Sequence, residues 1–160
     1  MSATDFTTSI TVDKPAITVF NAIIDPRGWW GKTIEGKTDE LGAEWSYRFK
    51  DLHYSLHKTV KLIPGRKVVW HVVDGQLSFV DDKQEWTGTD IVFDITERNN
   101  RTVLQFTHRG LVPTGECYEI CSDAWSGLIK GSLRNLIETG VGLPDTSRPW
   151  VHSAIWRLGL

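Results

Sequence analysis

"YEICSDAWSGLIKGSLRNLIE", residues 118–138, is the stretch on which the fold turns. Cys121, Trp125, Leu128, Ile129, Ser132, Leu133 and Leu136 recur at intervals of three and four, so a helix would carry them as one continuous stripe. Asp123, Lys130, Arg134 and Glu138 fall on the opposite face, and Gly140 follows as a stop signal. At about 1.5 Å per residue such a helix is roughly 30 Å long, enough to cross a whole curved sheet. Its stripe is thin in places. Ser132 sits near the middle, and Ala124, Gly127 and Gly131 cluster along one flank. Each interior glycine costs about 1 kcal/mol relative to alanine. Small residues here imply either close packing of the helix backbone on a sheet or open volume between the two.

The sheet comes from upstream. "FTTSITV" (6–12) reads as a strand, and Ala16, Val19, Phe20, Ile23 and Ile24 then recur at helical spacing. Asp13 is the expected N-cap, Pro15 lies in the first turn, and Asp25-Pro26 ends the helix. "AEWSYRF" (43–49) puts Trp45, Tyr47 and Phe49 on one face. Residues 53–63 and 67–73 flank a Pro64-Gly65 turn, and residues 87–97 and 102–110 flank "RNNR". Residues 74–86 read as a polar loop or a short irregular strand. The predicted architecture is therefore α+β: a curved antiparallel sheet of about six strands wrapped around a long C-terminal helix, with short helices after the first strand.

Bulk properties narrow the function. A chain of 160 residues is one domain, able to bury roughly 70% of its unfolded surface without a metal or disulfide framework. A net charge of -2 and a pI near 6.2 argue against nucleic acid as the main partner. No apolar run approaches a membrane span, and the first residues lack the basic start and apolar block of a secretion signal. A cytoplasmic location is the expectation. Cys117 and Cys121 are expected as reduced thiols, and no metal or cofactor is implied.

Eight tryptophans stand out, because each buried ring removes on the order of 150–250 Å² from water. In "DPRGWWG" (25–31), neighbouring side chains diverge, so Trp29 and Trp30 cannot serve one face. Trp29 is assigned to a cavity mouth and Trp30 to the end of the core. In "TVLQFTHRG", His108 shares a face with Leu104 and Phe106 and is a candidate polar anchor, acid or base. Strand alternation sets His57 and His71 outside the sheet's grip and Lys58 among Leu56, Val60 and Leu62, where it would be either a pocket cation or a lysine reaching solvent. Asp81, Asp82 and Glu85 read as a solvated cluster.

"DKPAITVFNAIIDPRGWWG", "TVLQFTHRGL" and "AWSGLIKGSLRNLIETGVGLP", in this order, resemble the START-like helix-grip proteins of the SRPBCC superfamily. Within it they resemble the branch named after the activator of the heat-shock-protein-90 ATPase. The resemblance spans about residues 6–144. It implies a hydrophobic cavity between sheet and helix, a fold whose members mostly bind small apolar ligands, and some relatives that are cyclases. Residues 1–144 then form the ligand-binding domain, and 145–160 an apolar tail that packs on the domain, at a dimer interface or over the pocket mouth. The expected ligand is a small hydrophobic or aromatic molecule, held by Trp29, Trp45, Tyr47, Trp70, Phe93, His108, Trp125 and Ser132. The alternatives are a cyclase- or hydrolase-like enzyme in the same cavity, with His108 as acid or base, and a co-chaperone that binds a protein partner. A homodimer is compatible with each.

Overall fold

The computed structural model describes residues 4–144, so the proposed tail 145–160 lies outside the described residues. The chain runs β1 (Phe6–Val12), α1 (Ala16–Ile23), α2 (Pro26–Trp29), β2 (Ile34–Gly36), β3 (Glu44–Phe49), β4 (His53–Ile63), β5 (Lys67–Leu77), β6 (Asp90–Arg98) and β7 (Arg101–Arg109). It ends in a continuous rod formed by α3 (Tyr118–Gly127), a π-helical stretch (Leu128–Leu133) and α4 (Arg134–Thr139). The strands form one antiparallel sheet in the order β1-β7-β6-β5-β4-β3-β2. The seven strands match the sheet of about six expected, with the short β2, which pairs with β3 through Ile34 and Tyr47, as the addition. The rod buries Cys121, Trp125, Leu128, Ile129, Ser132, Leu133 and Ile137, while Gly131 on the thin flank is exposed. Among the described residues, no helix is long and apolar enough to cross a membrane.

Local chemistry sets the joints. Asn99 and Asn100 both take positive φ, which matches the twist of a two-residue hairpin between β6 and β7. Gly140 closes the rod with φ 84°, its N–H donating to the Leu136 carbonyl. The start of α1 departs from expectation. Pro15 is its N-cap, the Glu97 carboxylate accepts the Ala16 N–H at 2.6 Å, and Asp13 pairs with Arg101 instead. Cys117 and Cys121 are joined as a disulfide across the first turn of α3 rather than standing as separate thiols.

The faces of β4 are the reverse of those its alternation predicts. Its inward residues are Ser55, His57 and Thr59, and its outward ones are Leu56, Lys58 and Val60. Register decides this. Trp45 and Tyr47 on β3 face inward and pair with His57 and Ser55, so those two must share their face. A bulge at Thr59/Lys61 then shifts the phase by one residue, which returns Leu62 to the inner side opposite Val68. Lys58 is therefore exposed, and His57 is fully buried. His71 does lie outside, with Nδ1 2.8 Å from Asp90. Residues 74–86, by sequence a polar loop or a short irregular strand, divide between the two: 74–77 continue β5, and Trp86 packs on His53 and His108.

Candidate functional site

Between the rod and the sheet lies a cluster of rings built on Trp30. Its indole stacks on Tyr47 at 4.6 Å and meets Trp125 at 4.9 Å, His57 at 5.2 Å and Trp45 at 5.9 Å between ring centres. Trp45 in turn meets His57 at 4.2 Å and Trp70 at 4.7 Å, and Trp70 meets Phe93 at 4.9 Å. The sequence-predicted rings thus belong to one contiguous cluster. The doublet is not divided between a mouth and the core, however: both rings are buried, stacked at 6.2 Å between centres. Trp29 is fully buried, donates its Nε1–H to the Ile23 carbonyl at 3.2 Å and packs on Phe93 and Trp70, so it is not at a mouth. Trp30, one residue on, turns into the ring cluster.

His108 is held on both sides. Trp125 Nε1–H donates to its Nδ1 at 3.0 Å, which assigns the ring proton to Nε2, facing Thr89 Oγ1 at 2.8 Å. The Thr89 hydroxyl donates onward to the Trp86 carbonyl at 2.6 Å. Burial, and then the charge of His53, push the His108 pKa down to about 3. With both nitrogens engaged and the ring neutral, His108 joins the rod to the sheet and has no lone pair left to serve as a base. Ser132 is equally occupied. Its Oγ donates to the Trp29 carbonyl at 2.7 Å and accepts the Leu143 N–H at 2.8 Å, tying α2 and the chain beyond the rod to the π-helical stretch.

His57 is the opposite case. It is completely buried, and neither Nδ1 nor Nε2 has a hydrogen-bond partner among the described residues. Burial pushes its pKa well below the usual range, the charges of His53 and His108 add to this, and the nearby Trp45 backbone opposes it without forming a well-aligned hydrogen bond. Trp86 Nε1 is buried and unpartnered as well, and three neighbours of His57 on β3, β4 and β5 share the condition: Trp45 Nε1, Thr59 Oγ1 and Trp70 Nε1. They are neighbours by register, since Trp45 pairs with His57 and Thr59 with Trp70. A buried donor or acceptor without a partner costs about 1–3 kcal/mol, so four such side chains in one place call for something to satisfy them.

The end of this interior is covered by residues 78–87. Trp86 packs edge-on against His53 at 4.6 Å and His108 at 4.7 Å, and lies parallel to Trp125 at 5.8 Å. Glu85, expected in solvent, instead accepts the Cys117 N–H through both carboxylate oxygens at 3.0 and 3.1 Å. Glu116 reciprocates by accepting the Asp81 and Asp82 N–H groups. Beside this cover a cleft of about 180 Å³ is lined by Arg48, Asp51, His53, Tyr54, Ser78 and Lys83, so His53 borders both surface and interior.

No family model and no curated protein matches the chain. Solved structures do. The Aha1 dimer from Colwellia psychrerythraea, determined in solution, superimposes with a TM-score of 0.71 at 25% identity, covering 87% of this chain and 99% of that one. The chain belongs to the START-like (SRPBCC) superfamily, within which it is similar to this Aha1 protein. Two further neighbours share the helix-grip fold of the superfamily. SSP2350 from Staphylococcus saprophyticus gives a TM-score of 0.64 at 19% identity, covering 87% of this chain and 95% of that one. CalU16 from Micromonospora echinospora gives 0.60 at 15%, covering 96% and 82%.

Sequence reasoning missed His57, Thr59, Trp30 and Trp86 as parts of this SRPBCC interior. The signal for the first two was the β3–β4 register. For Trp86 it was a lone large ring in an otherwise polar stretch.

Proposed function

We propose that the protein binds a small, ring-bearing hydrophobic molecule between the rod and the inner face of β3, β4 and β5. The observation that carries this reading is the set of buried, unpartnered polar atoms on Trp45, His57, Thr59 and Trp70 within a wall of aromatic rings. Ligand sites of this kind are mostly apolar, with a few polar groups that fix orientation. Trp30 occupies the middle of the wall, and it is the residue that follows the short α2, immediately before Gly31. A ligand makes room by moving this ring and stacking where it stood. His108, with both nitrogens engaged, and Ser132, with its proton given to the Trp29 carbonyl, shape the wall rather than contact the ligand.

Tryptophan emission and thermal shift, followed across a panel of aromatic and lipid compounds, test the reading. Quenching with a rise in Tm supports it. Absence of both across the panel, with no added mass on natively purified protein, overturns it.

Self-association is a second reading, favoured by the dimeric state of the Colwellia neighbour. Light scattering across a concentration series distinguishes a dimer from a monomer.

A further inference from the structure

The unpartnered atoms are unequal in kind, and their inventory describes the molecule that would satisfy them. Trp45 Nε1, Trp70 Nε1 and, in the covering segment, Trp86 Nε1 can only donate. Thr59 Oγ1 can donate or accept, and neutral His57 offers one of each. The charged side chains of β4, Lys58 and Lys61, point to solvent, and the groups that face His57 with any charge to offer are the imidazoles of His53 and His108. Among the described residues, the inner wall therefore presents a surplus of N–H and O–H donors, with neither a fixed cation nor a carboxylate.

We propose that this interior takes an uncharged aromatic molecule bearing carbonyl oxygen, as a ketone, quinone, ester or amide, and rejects the carboxylate of the same carbon skeleton. The inference rests on the interior being the ligand site, as argued above. A carbonyl oxygen has two lone pairs and can accept from Trp70 Nε1 and Thr59 Oγ1, or from Trp45 Nε1 and His57, without bringing charge out of water. A carboxylate would bury a net charge against donors that carry none, and such transfers are strongly unfavourable unless the group is paired or neutralised. Burial holds His57 neutral, so it does not supply the missing positive charge. A quaternary ammonium would find ring faces, but it would leave every indole N–H unsatisfied.

Four naphthalene probes of matched shape test the inference: 2-acetylnaphthalene, 2-naphthoate, 2-ethylnaphthalene and a naphthyl-trimethylammonium. Titration at pH 7.5, read by tryptophan quenching and calorimetry, is expected to rank the ketone at least tenfold tighter than the other three. Thr59→Val removes one donor with little change of shape, and Trp70→Phe removes another together with part of a buried ring. Each is expected to weaken the ketone at least fivefold more than it weakens the hydrocarbon, and Thr59→Val is expected to raise the Tm of the ligand-free protein. The last effect separates an unsatisfied hydroxyl from a structural one, whose loss would lower the Tm. If the carboxylate or the ammonium binds as tightly as the ketone, the class assignment is wrong while the ligand site stands. If the hydrocarbon binds equally well and the two variants change nothing, the donors play no part and the assignment is wrong again. Failure of all four probes to bind overturns the assignment together with the ligand site itself.

Discussion

Trp125 on the long rod donates its indole N–H to His108 Nδ1 on β7, across 3.0 Å of otherwise apolar interior. The bond fixes the tautomer of a neutral histidine and directs its remaining proton to Thr89, whose hydroxyl reaches the Trp86 carbonyl. Helix, last strand and covering loop are thus linked through one imidazole.

The first prediction concerns that link. His108→Ala leaves Trp125 Nε1 unpaired and opens a small void, so it is expected to destabilise the protein by about 2–4 kcal/mol. Ligand affinity, measured under conditions where the variant is folded, is expected to stay within about threefold of wild type, because the bonding capacity of His108 is already used. Urea titration checks the first part and fluorescence quenching the second. A stable variant that had lost binding would instead place His108 in contact with the ligand.

Buried neutral histidines also make stability depend on pH. His57 and His108 are held neutral in the folded protein, whereas in the unfolded chain each titrates near 6.5. Their folded values are depressed, so the stabilisation is complete above about pH 6.5 and is lost as pH falls toward the folded value of about 3 for His108. Each group contributes up to about 1.4 kcal/mol per pH unit below that point. Asp25, whose carboxyl burial raises, acts in the opposite sense at lower pH, so the window to read is pH 5–7. Urea midpoints are expected to fall steadily from pH 7 to 5, with a shallower slope in His57→Gln. A flat profile would show that the two rings are not neutral and buried.

The fold was legible in the sequence where one physical signal dominated. Helical period gave the rod, and turn chemistry at Pro64-Gly65 and Asn99-Asn100 gave the hairpins. The site was legible only in part, because alternation along a single strand cannot reveal a bulge. On β4, Leu56 and Val60 looked like the buried row, yet their neighbours Ser55, His57 and Thr59 face inward. Which row wins depends on the partner strand, where Trp45 and Tyr47 have far more apolar surface to bury than Leu56 and Val60. Hydrogen bonds that saturate a polar residue are equally invisible in sequence, so His108 and Ser132 looked like ligand contacts. The Glu85–Cys117 contact joins segments that no local pattern connects.

That contact supports a third prediction. Glu85 and Glu116 clasp the covering loop to the start of α3 from both sides, and Trp86 stands beside Glu85 over the ring cluster. Glu85→Ala removes a charge-assisted cap and is expected to cost about 1–2 kcal/mol. Hydrogen exchange should quicken at residues 81–88 and at Cys117 while β6 and β7 keep their protection. Unchanged exchange in the loop would mean that Trp86 packing alone holds it.

The last prediction tests whether Trp30 holds the place of a ligand. Its ring touches Tyr47, Trp125, His57 and Trp45, so Trp30→Ala removes the centre of the cluster without removing the unpartnered donors around it. A large-to-small change at such a position is expected to cost about 3–5 kcal/mol. Unlike an ordinary core lesion, this one leaves a ring-shaped space walled by aromatic faces, and a small aromatic molecule can refill it. Indole added at a hundredfold excess over its dissociation constant would restore about 2.7 kcal/mol. The measurement is Tm against indole concentration for Trp30→Ala and, as a control, for Phe106→Ala, which opens space beside Trp125 and Phe93 away from the donors. Rescue confined to Trp30→Ala would locate the ligand's ring where the Trp30 indole lies. Equal rescue of both variants, or none of either, would show that Trp30 is simply part of the core.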